Sequence, residues 1–246
     1  MLPTSLYGND AGCRICLNEN VKDVSPTQGG WLIRTSTQTI SMDWLIDATT
    51  NRGGQLLRSE RGQYQQLDQL ISIFAIAQTT QTTDRDARTW VVSHPDGWCY
   101  TALTPSGKRI IAFQTDSDLA APENINSAWL SKKLEECPII SALLQKHGYN
   151  FTTAPRWIAA HSGRFELCAG KNWLAVGDAA ITFDPLSGLG SLKAFESAFN
   201  AVQAILHQAD HQSACHMQWS NFLKERDDYY RAESRWNDSL FWSRRV

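Results

Sequence analysis

No stretch of this 246-residue chain approaches the ~20 consecutive apolar residues that a helix needs to cross a bilayer. The opening residues, MLPTSLYGNDAG, have neither a basic nor an apolar segment, so no secretory leader is predicted. An excess of one charge is missing too. The 23 Lys and Arg stand against 25 Asp and Glu, a formal net charge of -2, which argues against a nucleic-acid or anionic-membrane partner. Basic residues gather late in the chain (Arg226, Arg231, Arg235, Arg244, Arg245). Glu225, Asp227, Asp228 and Glu233 interleave with them, as on a solvated helix face. No G-x-G-x-x-G occurs anywhere, so the usual dinucleotide-binding fingerprint is absent. Internal repeats and low-complexity segments are absent as well.

Six cysteines are spread along the chain. Cys13 and Cys16 form a lone C-x-x-C with no second pair and no nearby His, which argues against a zinc site. They read as two reduced cysteines in an apolar strand. Cys99, Cys137, Cys168 and Cys215 are too scattered for a disulfide framework, so a reducing cytoplasm is the expected compartment.

What is present is ordinary for a globular chain: 42% hydrophobic and 20% charged residues, enough for a buried core. Ten tryptophans are more than a chain this size usually carries, and serve either core packing or an aromatic-lined pocket. The pattern predicts strands at Arg14–Leu17, Trp31–Thr35 and Trp44–Ala48, then a buried strand at Leu70–Ala77. Thr89–Ser93, Trp98–Leu103 and Arg109–Thr115 read as an antiparallel meander with turns at His94-Pro95-Asp96-Gly97 and Thr104-Pro105-Ser106-Gly107. Helices follow over Ala128–Cys137 and Ile139–Lys146, capped by Asn126 or Ser127 and opened by Pro138. Arg156–His161, Phe165–Ala169 and Trp173–Val176 are strand-like. Long helices run from about Gly190 to His207 and over roughly Ser213–Glu233. In the first, Leu192, Phe195, Ala198, Phe199, Val202 and Ile205 keep a helical period.

The segment Trp173–Phe195, WLAVGDAAITFDPLSGLGSLKAF, carries the chemistry. An apolar strand delivers Gly177-Asp178 at its C-terminal end, where α/β sheets present ligand-binding groups. Ala179 and Ala180 leave room for a bulky ligand, and the Asp178 carboxylate suits a ribose or ribityl hydroxyl. Pro185 stiffens the next loop, and Gly188 and Gly190 allow positive φ and close backbone approach. The long helix starts there, so its unpartnered first N–H groups and its dipole favour an anion or an electron-rich carbonyl.

The string G-D-A-A-x-x-x-D-P-L-S-G-x-G, Gly177–Gly190, resembles the second flavin motif of FAD-dependent monooxygenases, halogenases and geranylgeranyl-reductase-like enzymes. The resemblance implies FAD as cofactor, with Asp178 after Gly177 as the ribityl contact. It also implies that Pro185, Gly188, Leu189 and Gly190 form the loop beside the flavin ring. Asp43–Thr49, DWLIDAT, resembles the strand before the D-A-T-G turn of these enzymes. Asp96–Tyr100 with Phe113–Asp116 resembles the substrate-domain strands of the halogenase-like branch. The segment from Tyr229 to Arg245 resembles that branch's C-terminal helix and that of flavoproteins that mature quinone-cofactor oxidases.

The predicted fold is α/β (α+β): a partial FAD-binding three-layer ββα domain interrupted by a mostly antiparallel β-sheet substrate domain, with long C-terminal helices. The expected division is 1–55 (FAD-binding remnant), 56–165 (substrate-type sheet with helices), 166–210 (FAD-binding, with the GD motif) and 211–246 (C-terminal helical segment). The expected function is FAD-dependent, monooxygenase-like oxidation of an aromatic or apolar small molecule by the C-terminal half to two-thirds of such an enzyme. Trp90, Trp98, Tyr100 and Phe113 are the candidate pocket residues, and His94, His147 and His161 the possible acid–base groups.

Three departures qualify the resemblance. The N-terminal fingerprint is missing. Thr50 stands where the D-A-T-G turn has glycine, a position expected to need positive φ. Gly188 stands where halogenases usually have serine, which favours hydroxylation over halogenation. Without the N-terminal βαβ unit, neighbouring strands would expose apolar faces and unpaired edges. The alternatives are therefore a non-catalytic subunit needing a separate N-terminal half, a homodimer, or a halogenase or maturation flavoprotein.

Overall fold

The computed structural model describes residues 14–50, 57–81, 84–120 and 124–246. In chain order the strands and helices are β1 (Val21–Pro26), β2 (Trp31–Thr35), β3 (Thr39–Met42), β4 (Leu45–Asp47), α1 (Arg58–Arg61) and β5 (Tyr64–Gln66). Next come β6 (Leu70–Gln78), β7 (Trp90–His94), β8 (Gly97–Leu103), β9 (Arg109–Asp116), α2 (Ser127–Glu135) and α3 (Pro138–Lys146). The remainder are β10 (Asn150–Phe151), β11 (Arg156–Ala159), β12 (Gly163–Phe165), β13 (Ala169–Gly170), β14 (Trp173–Ala175), β15 (Ile181–Thr182), α4 (Gly190–His207), α5 (His211–Ala232) and α6 (Leu240–Ser243). The fold is mixed α/β, with several antiparallel sheets and long C-terminal helices. No described helix is long and apolar enough to cross a membrane.

The largest sheet has the order β10-β6-β9-β8-β7, with β11 also on β6, and its pairs are antiparallel. Gly97 makes its tight β7–β8 hairpin possible: its φ is +154°, and a Cβ there would overlap the Gln114 carbonyl. Alternation gives the sheet two different faces. Ala75, Cys99, Ile111 and Phe113 point to α2 and α3 and pack on Leu130, Leu134 and Ile140. Asn126 caps α2 by accepting from the Trp129 N–H at 3.0 Å, and Pro138 opens α3. The other face carries Ser72, Trp98, Tyr100 and Gln114, in register across β6, β8 and β9.

A second layer is built on β14, which pairs with β4 in parallel, Trp173 opposite Leu45 and Ala175 opposite Asp47. Parallel pairing needs a crossover, and here the crossover is the whole chain between Asp47 and Trp173. Leu174 and Val176 pack against Ala201 of α4. Trp173 and Ala175 point the other way, into Cys215, Trp219 and Phe222 of α5. His211, in the first turn of α5, donates from Nε2 to the Ala175 carbonyl at 2.9 Å and so pins the end of β14.

Several sequence expectations need correction. Arg14–Leu17 is not a strand. Cys16 is exposed there, and Cys13 lies outside the described residues. Cys99 and Cys137 do not stand alone: the packing of α3 on the sheet brings their sulfur atoms into contact across 38 residues, with Cα atoms 7.5 Å apart. The helical period of α4 is present, but most of its apolar residues are exposed, while Ile205 packs with Leu174, Val176 and Ala201. The helix's buried residues are Lys193, Ser197 and Ala201, while Phe195 and Phe199 are 76% and 64% exposed and Leu192, Val202 and Leu206 accompany them. Among the described residues β4 pairs only with β14, and Ile46 of β4 is exposed.

Candidate functional site

The site is assembled where β14 and β4 end side by side. After β14 the chain enters a 3-10 turn, Gly177–Ala179, with Gly177 in the left-handed region at φ +56°. The Gly177 N–H donates to Ser197 Oγ at 3.2 Å, which ties the turn to α4. At the end of β4, Asp47 accepts from the Thr49 N–H at 2.9 Å and from the Thr49 hydroxyl at 2.5 Å. Arg61, fully buried, joins the two turns: Nη1 donates to Asp47 at 3.2 Å, and Nη2 donates to the Ala179 carbonyl. Its guanidinium also stacks 4.1 Å from the Phe165 ring centre. Burial lowers the Arg61 pKa, with Asp47 opposing that shift. Thr50 does not adopt positive φ, so this turn takes a backbone that a β-branched residue tolerates rather than the glycine conformation expected there.

Asp178 sits on the rim. Its carboxyl accepts no hydrogen bond from the described residues, and desolvation by the surrounding protein raises its pKa above the usual value. The loop beyond it is held more tightly. Buried Asp184 accepts from the Leu186 N–H at 2.9 Å and from the Tyr230 hydroxyl at 2.7 Å. Arg226 stands 3.7 Å from Asp184 and 3.3 Å from Asp68. Pro185–Ser187 forms a 3-10 turn closed by Gly188 at φ +64°. No atom would lie within 4 Å of a Cβ at Gly188 or Gly190, so this backbone is open to a ligand. No side chain caps α4 at Leu189, which leaves the N–H groups of its first turn free of side-chain acceptors.

Two clefts meet at this turn. The first, about 650 Å³, is lined mostly by small residues, among them Ala48, Gly177, Gly190 and Ala194, together with Val176 and Phe195. The second, about 490 Å³, lies between the large sheet and the loop, with Ser72, Tyr100, Gln114, His161, Phe183 and Pro185 on its walls. Thr50 and Asp178 line both clefts.

Gly177, Asp178 and Gly190 line the first cleft and Asp178 and Pro185 the second, whereas Gly188 and Leu189 line neither and lie in the loop between Pro185 and Gly190. Of the candidate pocket residues only Tyr100 lines the second cleft; burial raises its phenol pKa. Trp98 shares its face but is buried against Leu70, Tyr230, Phe241 and Trp242. Trp90 and Phe113 pack on the helix side instead. His161 lines the cleft, and burial lowers its pKa. His94 is bound to Glu136 at 2.6 Å and His147 lies beside Asp84, both away from the cleft. Sequence reasoning missed Arg61, Ser72, Gln114 and the Asp184–Tyr230 bond. Only the alternation of Ser72 and Gln114 among apolar strand residues hinted at two of them.

The site lies on a fold shared with flavin-dependent halogenases and related flavoproteins. No family model matches the chain. It is 28% identical over 238 residues to LodB of Marinomonas mediterranea, a protein assigned as an FAD-dependent oxidoreductase, covering 92% of this chain and 60% of LodB. Among solved structures it superposes on CmlS, a flavin-dependent halogenase, with a TM-score of 0.74 at 21% identity, covering 92% of this chain and 45% of CmlS. It superposes on QhpG, a peptidyl tryptophan dihydroxylase essential for tryptophylquinone cofactor biogenesis, with a TM-score of 0.69 at 23% identity, covering 92% of this chain and 53% of QhpG.

Proposed function

We propose that this chain provides the flavin-ring side of an FAD-dependent oxidoreductase, monooxygenase-like, that acts on an aromatic or apolar small molecule. The observation that carries this reading is the junction itself. One rim carboxylate, Asp178, borders both clefts, beside an uncapped helix N-terminus and two glycines with open space around them. LodB's assigned activity supports the same cofactor.

When bound, FAD would supply the redox chemistry. The chain's residues would position it. Asp178 would accept hydrogen bonds from ribityl hydroxyls across Gly177. Pro185, Gly188, Leu189 and Gly190 would lie along the ring, and the first N–H groups of α4 would donate to its electron-rich carbonyl edge. The sheet wall of the second cleft would orient the substrate and keep water from it.

The test is to add excess FAD to the purified chain, remove free cofactor and record the visible spectrum. Retained flavin that Asp178→Ala reduces at least about tenfold is the expected result. A folded chain that retains none, alone or joined to a G-x-G-x-x-G-bearing segment, would overturn the reading.

A second reading is favoured by the exposed α4 stripe and the open side of β4. On this reading the chain is a subunit whose nucleotide-binding layer is completed by a separate N-terminal half, or whose apolar stripe is covered by a second copy. Sedimentation of the chain alone and with a separately expressed βαβ segment distinguishes the two.

A further inference from the structure

The loop from Asp184 to Leu189 joins β15 to α4, and its Pro185 lines the second cleft. Most of its hydrogen bonds are internal. The Leu186 N–H donates to the Asp184 carboxylate at 2.9 Å, the Gly188 N–H to the Pro185 carbonyl at 3.1 Å, and the Ser187 hydroxyl to the Asp184 carbonyl at 3.3 Å. Among the described residues, one hydrogen bond ties the loop to an element other than α4: the Tyr230 hydroxyl donates to buried Asp184 at 2.7 Å. Leu186 packs on the same aromatic cluster, Tyr230 with Phe241 and Trp242. Arg226 adds an ion pair at 3.7 Å from Asp184.

Tyr230 is in turn fixed to the large sheet. Its ring lies 5.6 Å from the Trp242 ring, centre to centre. The Trp242 indole N–H donates to the carbonyl of His94, at the end of β7, at 2.8 Å. Buried Arg245 donates to Asp116, at the end of β9, at 3.0 Å. The C-terminal segment thus ties the loop on one side of the second cleft to the sheet that carries Ser72 and Tyr100 on the other. A loop without this hold would have to be ordered by its ligand, at a cost in affinity.

We propose that Tyr230 is a positioning residue for the cofactor: by holding Asp184 it fixes the Pro185–Gly190 segment relative to the large sheet, and so sets the width of the second cleft. This rests on the reading that the loop lies along the flavin. The paired hydrogen bonds at one side chain carry the effect, not its charge. Asp184→Asn keeps both bonds, since its amide oxygen accepts from Leu186 and its amide N–H donates to the Tyr230 oxygen. Tyr230→Phe keeps the buried ring and removes only the hydroxyl.

The test compares the full chain with its Tyr230→Phe, Asp184→Ala and Asp184→Asn variants. Backbone 15N order parameters read the loop with no cofactor present. Those of Leu186, Ser187 and Gly188 should fall from about 0.85 to below about 0.6 in Tyr230→Phe and Asp184→Ala, with β8 and β9 unchanged. Asp184→Asn should keep them high. FAD titration of the same samples, followed by flavin fluorescence, should show at least about tenfold weaker binding for the two loosened variants and binding within about twofold of the parent for Asp184→Asn. Near-UV circular dichroism reports whether each variant is folded, and Tyr230→Phe carries the test should Asp184→Ala fail to fold. Order parameters unchanged in Tyr230→Phe would overturn the proposal, and so would a loosened loop with undiminished flavin binding. A loss in Asp184→Asn equal to that in Asp184→Ala would assign the effect to charge and overturn it as well. A parent chain that binds no flavin would sink the oxidoreductase reading, while the order parameters still decide whether Tyr230 holds the loop.

Discussion

Tyr230 donates its phenolic hydrogen to Asp184 at 2.7 Å, joining the end of α5 to the loop that precedes α4 across 46 residues. Both groups are buried. Desolvation raises the Asp184 pKa, and it holds the Tyr230 phenol well above its usual value. Tyr230→Phe takes away a donor and leaves a buried carboxyl oxygen without it. The expected loss is about 1–3 kcal/mol, read from urea unfolding midpoints at constant slope. An unchanged midpoint would show that the loop does not depend on this bond.

Arg61 holds the β4 and β14 turns in mutual register through Asp47 and Ala179. Arg61→Met should leave Asp47 buried without its cation and lower stability by roughly 3–5 kcal/mol. Arg61→Lys should recover little of this, because an ammonium lacks the planar fork that reaches both partners. Thermal unfolding of the two variants decides the point. Equal recovery by lysine would mean that charge alone matters.

Stability should respond to acid through Asp84. Burial pushes its carboxyl up. Hydrogen bonds from Arg109, the backbone at Asp86 and Tyr149 outweigh that and bring it down to about 2, from 3.8. A carboxyl depressed in the folded state stabilises above its unfolded value, and loses that contribution as pH falls through the folded one. Asp84→Asn should be strongly destabilised near neutrality, with fully buried Arg109 left unpaired. The gap between variant and parent should close as pH falls below 3.8 towards about 2. A gap that stays constant in urea titrations across that window would contradict the assignment.

Phe195 is the most exposed residue of the α4 stripe, 76% accessible. Phe195→Glu should change folding stability by less than about 0.5 kcal/mol. It should also lower the apparent mass of the chain if copies cover the stripe, or abolish pairing with an added βαβ segment if that is the occupant. Sedimentation velocity reads both. A variant that associates like the parent would mean the stripe is not an association surface.

Local signals were legible in the sequence. Trp31–Thr35 and Gly190–His207 fall where alternation and helical period place them. The Gly177–Gly190 string shows its strand, turn and helix by residue type alone. Arg14–Leu17 misled because an apolar pattern makes a strand only where it finds a partner, and none pairs with it among the described residues. The β1 strand was hidden by its lysine, its aspartate and its closing proline. The α4 period correctly signalled a helix but not what its apolar side meets. Cys99–Cys137 and Tyr230–Asp184 are contacts made by packing, over 38 and 46 residues, and no spacing rule announces them.

The parallel pairing of Trp173 with Leu45 has a kinetic consequence. Its two strands are separated by the entire antiparallel sheet and its helices, so β4 leaves the ribosome long before its partner exists. The loop-closure cost falls only when the intervening chain has condensed. The antiparallel sheet, rich in local hairpins, should therefore acquire structure first, and the β4–β14 seam should close last. During that interval the exposed β4 edge is the segment of the nascent chain most open to chaperone capture or to pairing with the wrong strand.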